Sequence, residues 1–308
     1  LPPGRSTKVC PMKELVILSG KGGTGKTSLT AAFAGLAPSL MLCDADVDAA
    51  DLHLIMAPDI RQTHDFVGGN EAVINQDLCT ACGTCKELCR FEAVIENDAG
   101  FFVDAIACEG CGVCVDLCPE NAIEFPQKTC GQWFVSHTRF GPMIHARLGI
   151  AEENSGRLVA LVREEARRRA REQHIDMILT DGPPGIGCPV IASMGQASAV
   201  LIVAEPTVSG IHDMKRVAEL AAHFNIPAMV CINKYDLNLD QTRSIETIAR
   251  EKHIELVGQI PFDPAFTQAM VECKTLVEND ESSLASQAVR DIWRAVMDHP
   301  AMKLERLM

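Results

Sequence analysis

The chain should fold as a doubly wound α/β domain with a mostly parallel sheet, interrupted by a small inserted α+β unit. Three observations point there. Apolar runs of strand length at 15–18, 40–43, 177–180, 200–204, 229–232 and 256–260 alternate with helical stretches such as 158–173. Continuous apolar strands separated by helices describe a parallel sheet covered on both faces. A glycine- and lysine-rich stretch follows the first run directly, and eight cysteines in two equally spaced sets fall between the second and third runs. At 308 residues and 47% apolar content the chain can bury a substantial core.

The first run leads into Gly20-Lys21-Gly22-Gly23-Thr24-Gly25-Lys26-Thr27, and a helical pattern then covers 28–36. Strand, loop and helix in that order are the setting a P-loop requires. Its glycines let the backbone curl until the N–H groups of Gly22, Gly23, Thr24, Gly25 and Ser28 face phosphate, and the helix N-terminus adds positive potential. Lys26 can reach the β/γ oxygens of ATP, and the Thr27 hydroxyl can ligate Mg²⁺.

The inserted block carries Cys79, Cys82, Cys85 and Cys89, then Cys108, Cys111, Cys114 and Cys118 with Pro119 behind the last. The run C-x2-C-x2-C-x3-C-P is the ligand pattern of bacterial two-cluster ferredoxins, in which the fourth cysteine of each run serves the other run's cluster. Carried over, Cys79, Cys82, Cys85 and Cys118 hold one [4Fe–4S] cluster, and Cys89, Cys108, Cys111 and Cys114 the second. Zinc and disulfides are the alternatives, but zinc takes four ligands per site and leaves the repeated third step unexplained. Arg90 departs from the pattern, standing where a proline would follow Cys89. Gly68-Gly69-Asn70 before the block, and Pro126 and Gly131 after it, are turn formers, and 72–74 and 122–124 read as short strands. The insert is thus placed at 69–128, between domain parts 12–68 and 129–300.

The stretch 133–148, with His137, Thr138, Arg139 and His145, is polar and reads as neither strand nor helix. Buried or surface histidines are its ordinary reading, a relay or docking loop the competing one. The arginine-rich stretch 163–171 reads as a solvated helix face, and the stripe Val289, Ile292, Trp293, Val296 as core-facing. Cys43, Cys231 and Cys273 read as small buried hydrophobes. Met12 reads as the natural start, which would make Cys10 and the segment 1–11 foreign to the protein.

Lys21 to Thr27 resemble the deviant loop K-G-G-x-G-K-T of the MinD/ParA/nitrogenase-iron-protein group of P-loop ATPases. Cys43-Asp44-Ala45-Asp46-Val47-Asp48 is similar to that group's first switch, and Thr180-Asp181-Gly182-Pro183-Pro184-Gly185 to its second. Asn233-Lys234 and Pro261-Phe262-Asp263 resemble its adenine-binding corners, all at strand ends, where open α/β sheets bind ligands. The resemblance implies catalytic roles for Lys21, Lys26, Asp46 and Asp181, and adenine contacts at Asn233, Pro261 and Asp263. It also implies a sandwich dimer, with itself or a similar subunit, in which Lys21 reaches the partner's ATP. The closest subgroup carries an inserted ferredoxin domain. Cys188, seven residues after Asp181, matches a bridging-cluster ligand of the nitrogenase iron protein, with a structural thiol as the plainer reading.

The net charge of −13 argues against a nucleic-acid surface. No apolar run approaches membrane-spanning length, and clusters with a P-loop point to a reducing, cytoplasmic setting. The leading expectation is an ATPase that couples dimer closure to electron transfer toward a redox or metallocluster protein. A cluster-assembly ATPase and a positioning ATPase with purely structural clusters remain open beside it.

Overall fold

A computed structural model describes residues 12–149 and 155–303, so the expectation for Cys10 lies outside the described residues. The chain opens with β1 (Lys13–Ser19), α1 (Lys26–Ala34), β2 (Met41–Asp44) and α2 (Leu52–Met56). Next come β3 (Asp59–Asn70), β4 (Val73–Ile74), α3 (Thr84–Leu88), β5 (Val94–Asn97), β6 (Gly100–Val103), α4 (Val113–Asp116) and β7 (Ile123–Glu124). The chain returns through β8 (Gln127–Thr138), β9 (Gly141–Leu148), α5 (Ser155–Glu172), β10 (Met177–Pro184), α6 (Cys188–Met194) and β11 (Ala199–Ala204). It closes with α7 (Val208–His223), β12 (Ala228–Asn233), α8 (Leu239–Glu251), β13 (Glu255–Ile260), α9 (Ala265–Val271), α10 (Leu276–Asn279) and α11 (Leu284–Asp298). Two compact units result: 64–132 with a short stretch after 147 form one, and the flanking segments the other.

The main sheet runs β13-β12-β11-β1-β10-β2-β9-β8-β3. The pairs from β13 to β9 are parallel. Alternation along β1 serves both faces: Leu15 and Ile17 join the cluster containing Phe33, Val289 and Ile292, while Val16 and Leu18 join the one containing Val190, Met214 and Ile245. This is a mostly parallel, doubly wound α/β sheet. α7 starts at Thr207, whose hydroxyl accepts from Gly210 N. The stripe of α11 is core-facing as expected, with Val289, Ile292 and Val296 buried. No described helix is long and apolar enough to cross a membrane.

In the smaller unit β4 pairs antiparallel with β7, and β5 with β6. α3 and α4 each start behind a left-handed glycine, Gly83 at φ 78° and Gly112 at φ 75°. Those matching turns carry the sequence repeat into the backbone.

Four expectations need correction. The stretch 133–148 is not a loop but most of β8 and β9, joined by a two-residue turn. Its polar residues concealed the strands because they are buried in pairs: Ser136 Oγ lies 2.8 Å from His145 Nε2, and Thr138 donates to Gly141 O. Gly68, Gly69, Asn70 and Gly131 lie within β3 and β8 rather than in turns. A Cβ at Gly68 would stand 2.8 Å from Cys130 Sγ, so close strand packing explains that glycine. The arginine face of α5 is not wholly solvated, because Arg163 and Arg167 turn inward onto buried Glu14 at 2.9 and 2.6 Å. Cys43 and Cys231 are buried, but Cys273 is exposed in the turn after α9, at φ 52°.

Candidate functional site

The P-loop leaves the C-terminal end of β1 and ends at Gly25, the left-handed residue before α1, with φ 88°. A Cβ there would come within 2.4 Å of Asn233 Nδ2, which donates to Thr24 O at 2.7 Å. Asn233, at the end of β12, therefore braces the loop as well as lining the adjacent cleft. That cleft also brings together Gly23, Gly25, Ser28, Pro261, Phe262 and Asp263. Phe262 is half exposed at its rim, an apolar face for a flat ring. Gly22 has open space around its Cα, as close approach of a ligand to the backbone requires.

Beneath the loop, Lys26, Thr27, Asp46 and Asp181 converge. Lys26 Nζ donates to Asp181 Oδ1 at 2.9 Å and to Asp46 Oδ2 at 3.4 Å, and Thr27 Oγ1 donates to Asp181 Oδ2 at 2.7 Å. Asp181 sits on β10, beside Asp44 of β2 in register. Burial opposes the charge on Lys26, but Asp181, Asp46 and Asp44 outweigh it and hold its pKa above the ordinary value. Burial pushes Asp46 up to about 6 against the pull of Lys26. Burial and then Asp181 push Asp44 well above the carboxylate range. Asp44 Oδ2 and Thr24 Oγ1 are buried without a hydrogen-bond partner. Three carboxylates around one ammonium, with two orphaned buried oxygens, leave polar groups at the foot of the loop that a bound polar ligand would satisfy.

Lys21 stands outside this cluster. Its ammonium contacts Glu205 Oε2 at 3.1 Å and Thr207 Oγ1 at 3.4 Å. Lys234 takes the other oxygen of Glu205. Burial alone would raise the Glu205 carboxyl, but the two lysines hold it below its usual range.

The eight cysteines ring two cavities in the smaller unit. One is lined by Cys79, Cys82, Cys85 and Cys118, with Ile74, Phe101 and Ile123. The other is lined by Cys89, Cys108, Cys111 and Cys114, with Phe91, Val94 and Phe125. Each set thus draws one cysteine from the other sequence run. None of the eight is joined in a disulfide here. Ala122 N donates to Cys118 Sγ at 3.3 Å, and the Thr84 hydroxyl beside Cys82 lowers that thiol's pKa. Burial raises Cys114, with Cys108, Cys111 and Cys85 adding to it in the thiolate state. Among the described residues no three His, Cys, Asp or Glu side chains converge on a point that would hold a single metal ion. The donor set and cavities suit a group large enough to be gripped from four corners.

Sequence reasoning missed Thr30, which donates to Asp181 Oδ1 at 3.0 Å, and Glu205. Thr30 lies one helical turn beyond Lys26, a local signal that was available. Nothing local marks Glu205. Cys188 is exposed.

The description "CobQ/CobB/MinD/ParA nucleotide binding domain" matches residues 15–276. An uncharacterized protein of Methanocaldococcus jannaschii is 28% identical over 288 residues, covering 92% of this chain and 96% of the relative. The septum site-determining protein MinD of Bacillus subtilis is 24% identical over 294 residues, covering 92% and 88%. MinD of Pyrococcus horikoshii, solved with Mg-ADP, superposes with a TM-score of 0.57 at 17% identity, over 93% of this chain and 96% of that one. The MinC:MinD cell division complex of Aquifex aeolicus gives 0.55 at 22%, over 92% and 96%. Over most of its length, then, the chain belongs to the CobQ/CobB/MinD/ParA nucleotide-binding family and is a MinD/ParA-type P-loop ATPase.

Proposed function

We propose that this ATPase is an iron–sulfur protein, with an inserted ferredoxin-like domain at 69–128, in which Mg²⁺-dependent ATP hydrolysis and dimer closure are coupled to electron transfer. The observation that carries the reading is the sorting of eight cysteines into two four-cysteine cavities that cross the sequence order. Cys79, Cys82, Cys85 and Cys118 would hold one [4Fe–4S] cluster, and Cys89, Cys108, Cys111 and Cys114 the other. When bound, each cluster supplies one-electron storage at a potential tuned by hydrogen bonds and solvent.

At the nucleotide site Thr27 would hold Mg²⁺, with Asp46 and Asp181 ordering its surroundings. Lys26, released from Asp181, would neutralise charge on the transferring phosphoryl group, and Lys21 would do the same across a dimer of like or similar chains. Asn233, Pro261 and Asp263 would border the adenine. Asp46, partly neutralised by burial near pH 6, would order the attacking water as its proton leaves. The outlet for electrons would be a redox or metallocluster protein.

Anaerobic iron and sulfide counting tests the cluster assignment. About eight of each per chain are expected, falling to about four in a Cys118→Ser chain with the second cluster's spectrum intact. A colourless protein after reconstitution refutes the reading. The septum site-determining relatives favour a second reading, a positioning ATPase whose clusters are structural. Full activity in cluster-free protein would select it, and cluster loss to an apo-acceptor on hydrolysis would select assembly.

A further inference from the structure

The loop lysine that ATP chemistry would need in a partner subunit is held within its own chain. Lys21 Nζ lies 3.1 Å from Glu205 Oε2, and Lys234 Nζ reaches Oε1 at 2.5 Å and Gly23 O at 3.1 Å. One carboxylate thus ties down two lysines and, through Lys234, the carbonyl of a P-loop glycine.

Glu205 is well placed for this. It follows β11 directly, its side chain is 12% exposed, and Thr207 N donates to its carbonyl at 2.8 Å. A Cβ at Gly210 would come 2.5 Å from that same carbonyl, so the first turn of α7 packs tightly against it. The main chain that carries the carboxylate is therefore held in place, while the lysines approach on long, flexible stems.

We propose that Glu205 is a positioning residue that parks Lys21 in the unpaired chain, so that ATP-driven pairing must first draw Lys21 off its own glutamate. This rests on the reading above, in which Lys21 serves ATP across a dimer. Lys21 is 34% exposed, and pairs of that exposure are weak. The latch consequently sets a threshold for pairing and does not block it. A triphosphate carries more charge than one carboxylate and wins the lysine when the two chains meet.

The test is dimerisation of anaerobically prepared holoprotein, followed by light scattering while MgATP or a non-hydrolysable analogue is titrated. Wild type should pair with MgATP and not with MgADP. Glu205→Gln should lower the concentration for half-maximal pairing about fivefold. Its affinity for MgADP should stay within about twofold, because ADP binding does not require Lys21 to move. Glu205→Asp keeps the charge and should fall between the two, a rescue that a merely structural role would not give; it also carries the test if Glu205→Gln does not fold. A threshold in the variants equal to or above wild type overturns the latch and leaves the ATPase reading standing. A wild type that never pairs with MgATP removes the dimer reading, and the latch with it.

Discussion

The two units bury their residues in different ways. The α/β unit packs both faces of its sheet with large apolar clusters, in which Leu15, Ile17, Phe33 and Leu42 are fully buried. The core cluster of the cysteine unit is small, made of Ala72, Ile74, Val94, Phe101 and Ile123, and cysteines pack around it. A small domain with so little core needs a staple, whereas a sheet covered on both faces does not. Ligand dependence should lie on one side only: the α/β unit should keep its fold with or without a bound group, and the cysteine unit should depend on one.

With clusters bound as proposed, stripping their iron should produce the largest effect. Amides of β4 to β7 should lose nearly all hydrogen-exchange protection, while β1, β10 and β11 keep theirs. Equal protection in both units after iron removal would break the contrast. Conversely, Glu14→Gln should strike the α/β unit alone. It strands the buried guanidinium of Arg163 and weakens that of Arg167, so stability should drop by about 3–5 kcal/mol in denaturant melts with iron content unchanged.

Two buried groups in the α/β unit make opposite demands on pH. Burial, and then His53, lower His145 to about 4, so as pH falls below 6.5 the unfolded chain takes this proton first and stability is lost. Burial raises Asp46 to about 6, so the folded chain keeps that proton longer and stability is lost as pH rises from about 4 through 6. Each effect amounts to about 3 kcal/mol, and across this window they largely offset one another. His145→Gln should therefore give metal-free protein whose stability falls with rising pH, and Asp46→Asn one whose stability rises. Urea midpoints at pH 4.5 and 6.5 measure both, and identical slopes in the two variants would contradict the assignment. At the small end, Arg168→Ala removes only an exposed pair with Glu165 and Glu172, so its melt should match wild type.

Legibility in the sequence followed the range of the interactions. The P-loop, both switch segments and the cysteine spacing are local, and the strands of the parallel sheet are continuous apolar runs that declare themselves. β8 and β9 were hidden because Ser136 and His145 are buried by pairing with each other and Thr138 by pairing with the Gly141 carbonyl, and a polar pattern alone cannot distinguish that from a loop. Glu14 and Arg163 are 149 positions apart, so nothing in either neighbourhood announces an inward-facing arginine. The same holds for Glu205, which meets Lys21 across 184 residues of chain, the difference of their numbers, through the adjacency of β1 and β11.

If nucleotide and clusters are coupled as proposed, the coupling is reciprocal by thermodynamic necessity: where ATP changes the potential of the clusters, their oxidation state changes the affinity for ATP. Titrating a non-hydrolysable ATP analogue with Mg²⁺ onto oxidised and dithionite-reduced holoprotein tests this without any partner protein. The predicted result is dissociation constants that differ by about fivefold or more, matching a shift of tens of millivolts in cluster potential. Identical constants in the two redox states would contradict coupling and leave an ATPase with iron as its staple.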